Sequence, residues 1–137
     1  MDPGAVALSS LNGTNGFRLD GAAANDDLGN VAASAGDVNG DGFADILVSA
    51  GGARPNGTFA AGASYVIFGK ASGWTSTLKV ANLNGTNGFR LDGVAATDYS
   101  SSAAAPAGDV SGDGFSDIII GARWLSRTAA STPGRAT

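Results

Sequence analysis

The chain contains no cysteine, no histidine, no glutamate and no glutamine. Without cysteine there is no disulfide, no thiolate nucleophile and no Cys-zinc site. Without histidine there is no Ser-His-Asp triad, no imidazole base and no His-metal site. All 12 acidic residues are aspartate, and the strong helix formers Glu, Gln and Lys are nearly missing. No run approaches the roughly 18–20 apolar residues of a membrane helix, so membrane insertion is not expected. Asp2 stands where a secretory leader carries a basic residue. A leader has therefore been removed, or the chain is a piece of something larger. The net charge of −4 argues against a nucleic-acid partner. Glycine is plentiful, at 22 of 137 residues, and the 43% hydrophobic content is heavy in alanine. This is the profile of a turn-rich β protein, long enough to bury about two-thirds of its unfolded surface as one domain.

An internal repeat organises the sequence. Leu11 to Gly21 recurs letter for letter at Leu83 to Gly93, an offset of 72. In the same register, 11–50 and 83–122 align without a gap and share 27 of 40 positions. The chain divides into a leader at 1–10, a first repeat at 11–82, a second and truncated repeat at 83–122, and an aberrant tail at 123–137. Apolar segments bounded by Gly, Asn or Asp predict short strands at 16–20, 30–35, 45–50, 64–68, 88–92, 103–107 and 117–121. Ile118-Ile119-Ile120 and Val66-Ile67-Phe68 read as strands covered on both faces. Spans 22–27 and 94–98 read as loops. One period thus holds about four short strands, the content of a propeller blade. The fold class expected is all-β, with four-stranded antiparallel blades and about two blade-like units per chain.

Oxygen side chains recur at positions 1, 3, 5 and 9 of a glycine-rich loop. In the first copy they are Asp37, Asn39, Asp41 and Asp45, and in the second Asp109, Ser111, Asp113 and Asp117. A hard cation such as Ca²⁺ takes six to eight oxygens, and alternate residues of a tight loop can point inward together. Gly42 and Gly114 permit the reversal that lets the carbonyl of Phe43 or Phe115 join from position 7. Three carboxylates packed without a cation repel one another. The loop is not an EF-hand, because position 12 is Val48 or Ile120 rather than a bidentate glutamate. Two Ca²⁺ per chain are expected, the Ser111 site being the weaker.

Gly36-Asp37-Val38-Asn39-Gly40-Asp41-Gly42-Phe43-Ala44-Asp45 followed by an apolar strand resembles the FG-GAP repeat, the blade unit of the integrin α-chain head and of many secreted bacterial proteins. The resemblance covers roughly 11–122. It implies a β-propeller with Ca²⁺ held in hairpin loops on one face, an extracellular or cell-surface location, and a role in adhesion or ligand presentation. The name-giving Phe-Gly survives only as Leu28-Gly29, and as Ser100-Ser101 in the second copy. The Gly-Ala-Pro reads Ser49-Ala50-Gly51, then Gly121-Ala122-Arg123.

Other features carry less. Asn12, Asn56 and Asn84 begin Asn-Gly-Thr, which matches a glycosylation pattern but is better read as a tight turn. Phe17, Phe89, Phe43 and Phe115 read as core. Trp74 and Trp124 stand outside the repeat, as sugar platform or packing alike, and Arg18 and Arg90 read as solvated. The tail from Arg123 departs from its expected likeness to 51–65. In one permitted codon choice, a one-base shift restores Gly-Ala-Pro and segments like Pro55-Asn56-Gly57 and Ser64-Tyr65, which predicts a frame-shifted end. Two function classes follow: a calcium-binding module, or a secreted hydrolase or its accessory module. Six of the 12 aspartates sit in the two loops, and the missing His, Cys and Glu weigh against an active site. A pair of Asp26 and Asp98 is conceivable, but its spacing has no support. Two blades cannot close a ring. Segment 16–20 should be an orphaned outer strand, and the second unit should lack its third and fourth strands. Uncovered edges of this kind predict a homo-oligomer, with a protein or glycan as further ligand.

Overall fold

The computed structural model describes residues 4–122 and 127–131. Among these there is no α-helix, only strands and three short 3₁₀ turns. The strands are β1 (Arg18–Asp20), β2 (Leu28–Gly36), β3 (Asp45–Ala50), β4 (Ala63–Ile67), β5 (Thr77–Lys79), β6 (Gly88–Asp92), β7 (Ser100–Gly108), β8 (Asp117–Ala122) and β9 (Arg127–Ser131). They form three sheets: a four-stranded sheet β2-β3-β4-β6, a three-stranded sheet β7-β8-β9 and a two-stranded ribbon β1-β5.

The four-stranded sheet is antiparallel throughout, one whole blade with three strands from the first repeat and its fourth, β6, from the start of the second. Its strands are short, β-branched and closed by turns, and the period-2 alternation of side chains sorts them onto two faces. Val48, Ala50, Tyr65 and Ile67 point to one face, where Leu19 and Leu78 of the ribbon cover them. Leu47 and Val66 point to the other, where Ile118 and Ile120 of the second sheet meet them. The core is therefore layered, with the central sheet between the ribbon and the second sheet. β2 and β7 carry register shifts at corresponding places, between Ser34 and Gly36 and between Pro106 and Gly108. Pro106 offers no N–H, which β7 tolerates as an edge strand.

Four expectations are corrected. Segment 16–20 is not orphaned: its β1 part pairs in parallel with β5, a strand too short to signal itself in the sequence. The second sheet has a third strand, because β9 pairs antiparallel with β8 from Ile118↔Ser131 to Ala122↔Arg127. β9 starts five residues after Ala122, whereas 12 residues connect Ala50 to Ala63. Ile118-Ile119-Ile120 is covered on one face only, with Ile119 41% exposed. Phe43 is no core residue, at 43% exposed. Trp124 lies outside the described residues.

Candidate metal centre

The first acidic loop joins β2 to β3 and winds around one carboxylate. Asp37 Oδ1 accepts the N–H groups of Gly40 at 2.8 Å and Asp41 at 3.1 Å, and Oδ2 accepts that of Gly42 at 2.8 Å. Gly40 and Gly42 have φ of +77° and +89°, a left-handed backbone that glycine enters without a Cβ penalty. The Gly42 N–H, with those of Gly40 and Asp41, holds the Asp37 carboxyl below its ordinary pKa. Asp41 Oδ1 accepts the Phe43 N–H at 2.9 Å, and its Oδ2 accepts the Asn39 side-chain amide at 3.2 Å.

Asp45 is buried and ties the loop to a distant segment. Its Oδ2 accepts the Val38 N–H at 2.8 Å and its Oδ1 the Gly69 N–H at 2.8 Å. Burial pushes its carboxyl above the ordinary value despite these bonds, and the charges of Asp41 and Asp37 push the same way. The buried Asp45 carboxyl thus feels the other two carboxylates of the loop. Asn39 Oδ1 is buried and has no hydrogen-bond partner. An amide oxygen in that state lacks a donor that folding normally supplies.

The second loop repeats the winding. Asp109 accepts Gly112 at 2.8 Å, Asp113 at 3.1 Å and Gly114 at 2.9 Å, and Asp113 accepts the Phe115 N–H at 3.0 Å. Asp117 Oδ2 accepts Val110 at 2.7 Å and Ser111 at 3.1 Å, but its Oδ1 is buried without a partner. The Gly69 N–H that serves Asp45 has no counterpart on Asp117 among the described residues. The two loops touch. Ser116 donates its N–H to the Asp37 carbonyl at 3.0 Å, and a Cβ on Gly40 would lie 2.2 Å from the Phe115 ring.

Every residue singled out by spacing therefore falls on one of two adjacent loops or on the first residue of the strand that follows it. As they stand, the aspartates spend oxygens on backbone N–H groups. No group of three or more acidic side chains is drawn together as an ion cage among the described residues. The orphaned oxygens of Asn39 and Asp117 sit at loop positions 3 and 9, where the calcium pattern places ligands. Oxygen-only donors, several of them charged, fit a hard cation and no soft one.

The remaining sequence readings resolve plainly. Asn12 and Asn84 cap tight turns through their side-chain oxygens, accepting Thr14 and Thr86 N–H groups at 2.9 Å. Asn56 sits in a 3₁₀ turn with φ of +54°. Trp74 stacks on Phe17 with ring centroids 4.4 Å apart, and Lys70 lies over the indole, so Trp74 acts as packing. Arg18 and Arg90 are exposed but pair with Asp20 and Asp92, two residues on along the same strands.

Residues 29–67 match the model of the FG-GAP repeat family. No curated protein matches the chain. The matched segment begins in β2, contains the first acidic loop and ends with β4. Residues 29–67 read as an FG-GAP repeat, a propeller repeat, and the antiparallel sheets of the chain are consistent with β-propeller blades. Among the described residues no helix is long and apolar enough to cross a membrane.

Proposed function

We propose that this FG-GAP-bearing chain is a calcium-binding propeller module that works outside the cell or at its surface by holding a partner. Two Ca²⁺ bind per chain. Asp37, Asn39, Asp41, the Phe43 carbonyl and Asp45 would hold the first, and Asp109, Ser111, Asp113, the Phe115 carbonyl and Asp117 the second. When bound, the ion supplies charge neutralisation, and the chain's own part is to present the oxygens on loops that its glycines and N–H bonds have already bent.

The observation that carries this reading is Asn39 Oδ1, buried and unpartnered in the loop where the charges of Asp37 and Asp41 act on the buried Asp45. Two ions add +4 to a net charge of −4 and bring it to zero. Calorimetric titration with Ca²⁺, and melting in Ca²⁺ against EDTA, test it. Heat with a stoichiometry of two and a higher Tm in Ca²⁺ are expected; no heat and unchanged melting would end the proposal.

Self-association belongs to the same reading. The outer face of the second sheet leaves Ile119 exposed, whereas its repeat counterpart Leu47 is fully buried against that sheet. A second copy covering Ile119 would remove apolar surface from water. Light scattering that reports a folded monomer at high concentration in Ca²⁺ would overturn this part.

A further inference from the structure

A cavity of about 390 Å³ opens at the other end of β3 from the first acidic loop, where the loop 22–26 faces the start of the β3–β4 connection. β3 spans six residues, so roughly 17 Å of strand separates the two places. Alanines and Pro55 form the apolar part of the wall, and five polar residues line the rest: Asn25, Asp26, Arg54, Tyr65 and Arg90.

Two of these are buried, and neither side chain has a hydrogen-bond partner among the described residues. Asp26 is 7% exposed and Tyr65 3%. Both line the same cavity. The contrast with the second repeat is informative. Asp98, the counterpart of Asp26, accepts the Ala95 N–H at 3.1 Å, while Asp26 has no such bond. Neither polar end is sealed off, since the buried side-chain oxygens without a partner among the described residues are Asn39 Oδ1 and Asp117 Oδ1, so both ends open onto the cavity. Asp26 and Tyr65 together leave an acceptor and a hydroxyl facing a space large enough for a small ligand. Burial also pushes the Tyr65 phenol up, so it remains a donor at neutral pH.

Charge selects the ligand class. Arg90 is paired with Asp92, and Arg54 lies over the Phe59 ring at 4.5 Å and makes no ion pair among the described residues. One carboxylate and one guanidinium remain, so the site is neutral overall. A cation would meet Arg54 and an anion would meet Asp26. Asp26 only accepts, the guanidiniums only donate, and Tyr65 and Asn25 do both. Hydroxyl groups, which donate and accept from one ligand, satisfy all of them. The geometry points to a neutral, polyhydroxylated ring, a single pyranose of a glycan, bound with hydroxyls on Asp26, Tyr65 and Arg54 and its C–H face on the alanine wall.

This site shares no residue with the acidic loops and does not rest on the calcium reading. It is tested on the full chain by NMR titration with methyl α-D-glucopyranoside, methyl α-D-mannopyranoside and methyl β-D-galactopyranoside, with L-serine and sodium acetate in parallel. Saturable shifts at 22–26, Arg54 and Tyr65 with at least one glycoside are expected, and none with serine or acetate. Asp26→Asn and Tyr65→Phe should each weaken binding about tenfold, as loss of a hydrogen bond at a charged or buried group does. Arg54→Gln, an exposed position that leaves the fold intact, should weaken it several-fold. No saturable shift with any glycoside, shifts located elsewhere, or tighter binding of serine would overturn the assignment.

Discussion

The two acidic loops are near copies in sequence and wind in the same way, yet they are held differently. Asp37 and Asp109 each gather three N–H groups from the same relative positions. That part is local, so local sequence specifies it. The Asp at position 9 differs. Asp45 is clamped on both oxygens, one of them by Gly69, 24 residues on, while Asp117 keeps one buried oxygen unpartnered. The aromatic at position 7 differs too: Phe115 sits on Gly40 of the neighbouring loop, and Phe43 is exposed. Near-identical motifs thus take their energetics from neighbours supplied by the rest of the chain.

The largest effect expected from breaking this asymmetry is at Asp45. Asp45→Ala strips the partner from two backbone N–H groups beside a buried side chain and should cost about 3 kcal/mol. Asp117→Ala frees the N–H groups of Val110 and Ser111, both exposed residues that water can reach, and should cost about 1 kcal/mol. Urea unfolding in EDTA compares them. Equal losses would mean that the Gly69 clamp contributes nothing.

Gly40 and Gly112 sharpen the same contrast at a lower magnitude. Both have left-handed φ, +77° and +74°, so alanine is strained at either by about 1 kcal/mol. Only at Gly40 does the new Cβ strike a neighbour, the Phe115 ring, while the space at Gly112 is open. Gly40→Ala should therefore lower the urea midpoint clearly more than Gly112→Ala, and Phe115→Ala should bring the two closer together. Indistinguishable midpoints for the two glycine variants would show that the loops do not bear on each other in solution.

The sequence made the strands and loop positions legible where the signal was local. β3 and β6 begin and end where Asp-Ile-Leu-Val-Ser-Ala and Gly-Phe-Arg-Leu-Asp do, because turn residues bound a β-branched or alternating run. β5 was illegible: Thr77-Leu78-Lys79 is three residues long, and its pairing with β1 is parallel and distant in sequence. β9 lies where the repeat breaks, so no template announced it. At the candidate site, the spacing marked which aspartates face one loop, but not that Gly69 would occupy Asp45. The cavity was wholly hidden, since Asp26, Arg54, Tyr65 and Arg90 come from four segments with no shared motif.

Calcium tests the loops as ligands rather than as scaffolds. At a concentration tenfold above Kd, each site should add about 1.4 kcal/mol of stability. Asp41→Ala removes a charge and should weaken the first site. Ser111→Ala removes a neutral, weaker ligand and should weaken the second site less. Titration calorimetry on both variants separates them, and equal losses of affinity would count against the position-by-position assignment of ligands.

The smallest effect expected is a pH dependence whose sign differs between two residues of one loop. Asp37 has a depressed pKa, caused first by the Gly42 N–H, so its contribution is present above the ordinary carboxylate value of about 3.9 and is lost as pH falls through the depressed one. Asp45 has a raised pKa, caused first by burial, so its contribution is present below about 3.9 and is lost as pH rises through the raised one. In EDTA, Asp45→Asn should remove a loss of stability that the wild-type chain shows as pH rises above about 4, whereas Asp37→Asn should remove a gain completed by that pH. Ca²⁺ should shrink the Asp45 term, because the ion offsets the charges of Asp37 and Asp41 that help to raise it. Thermal melts from about pH 3 to pH 7 measure all three slopes. Parallel profiles for the wild-type chain and Asp45→Asn would show that burial of this carboxylate is matched by its two N–H bonds, and that no charge in the loop awaits a cation.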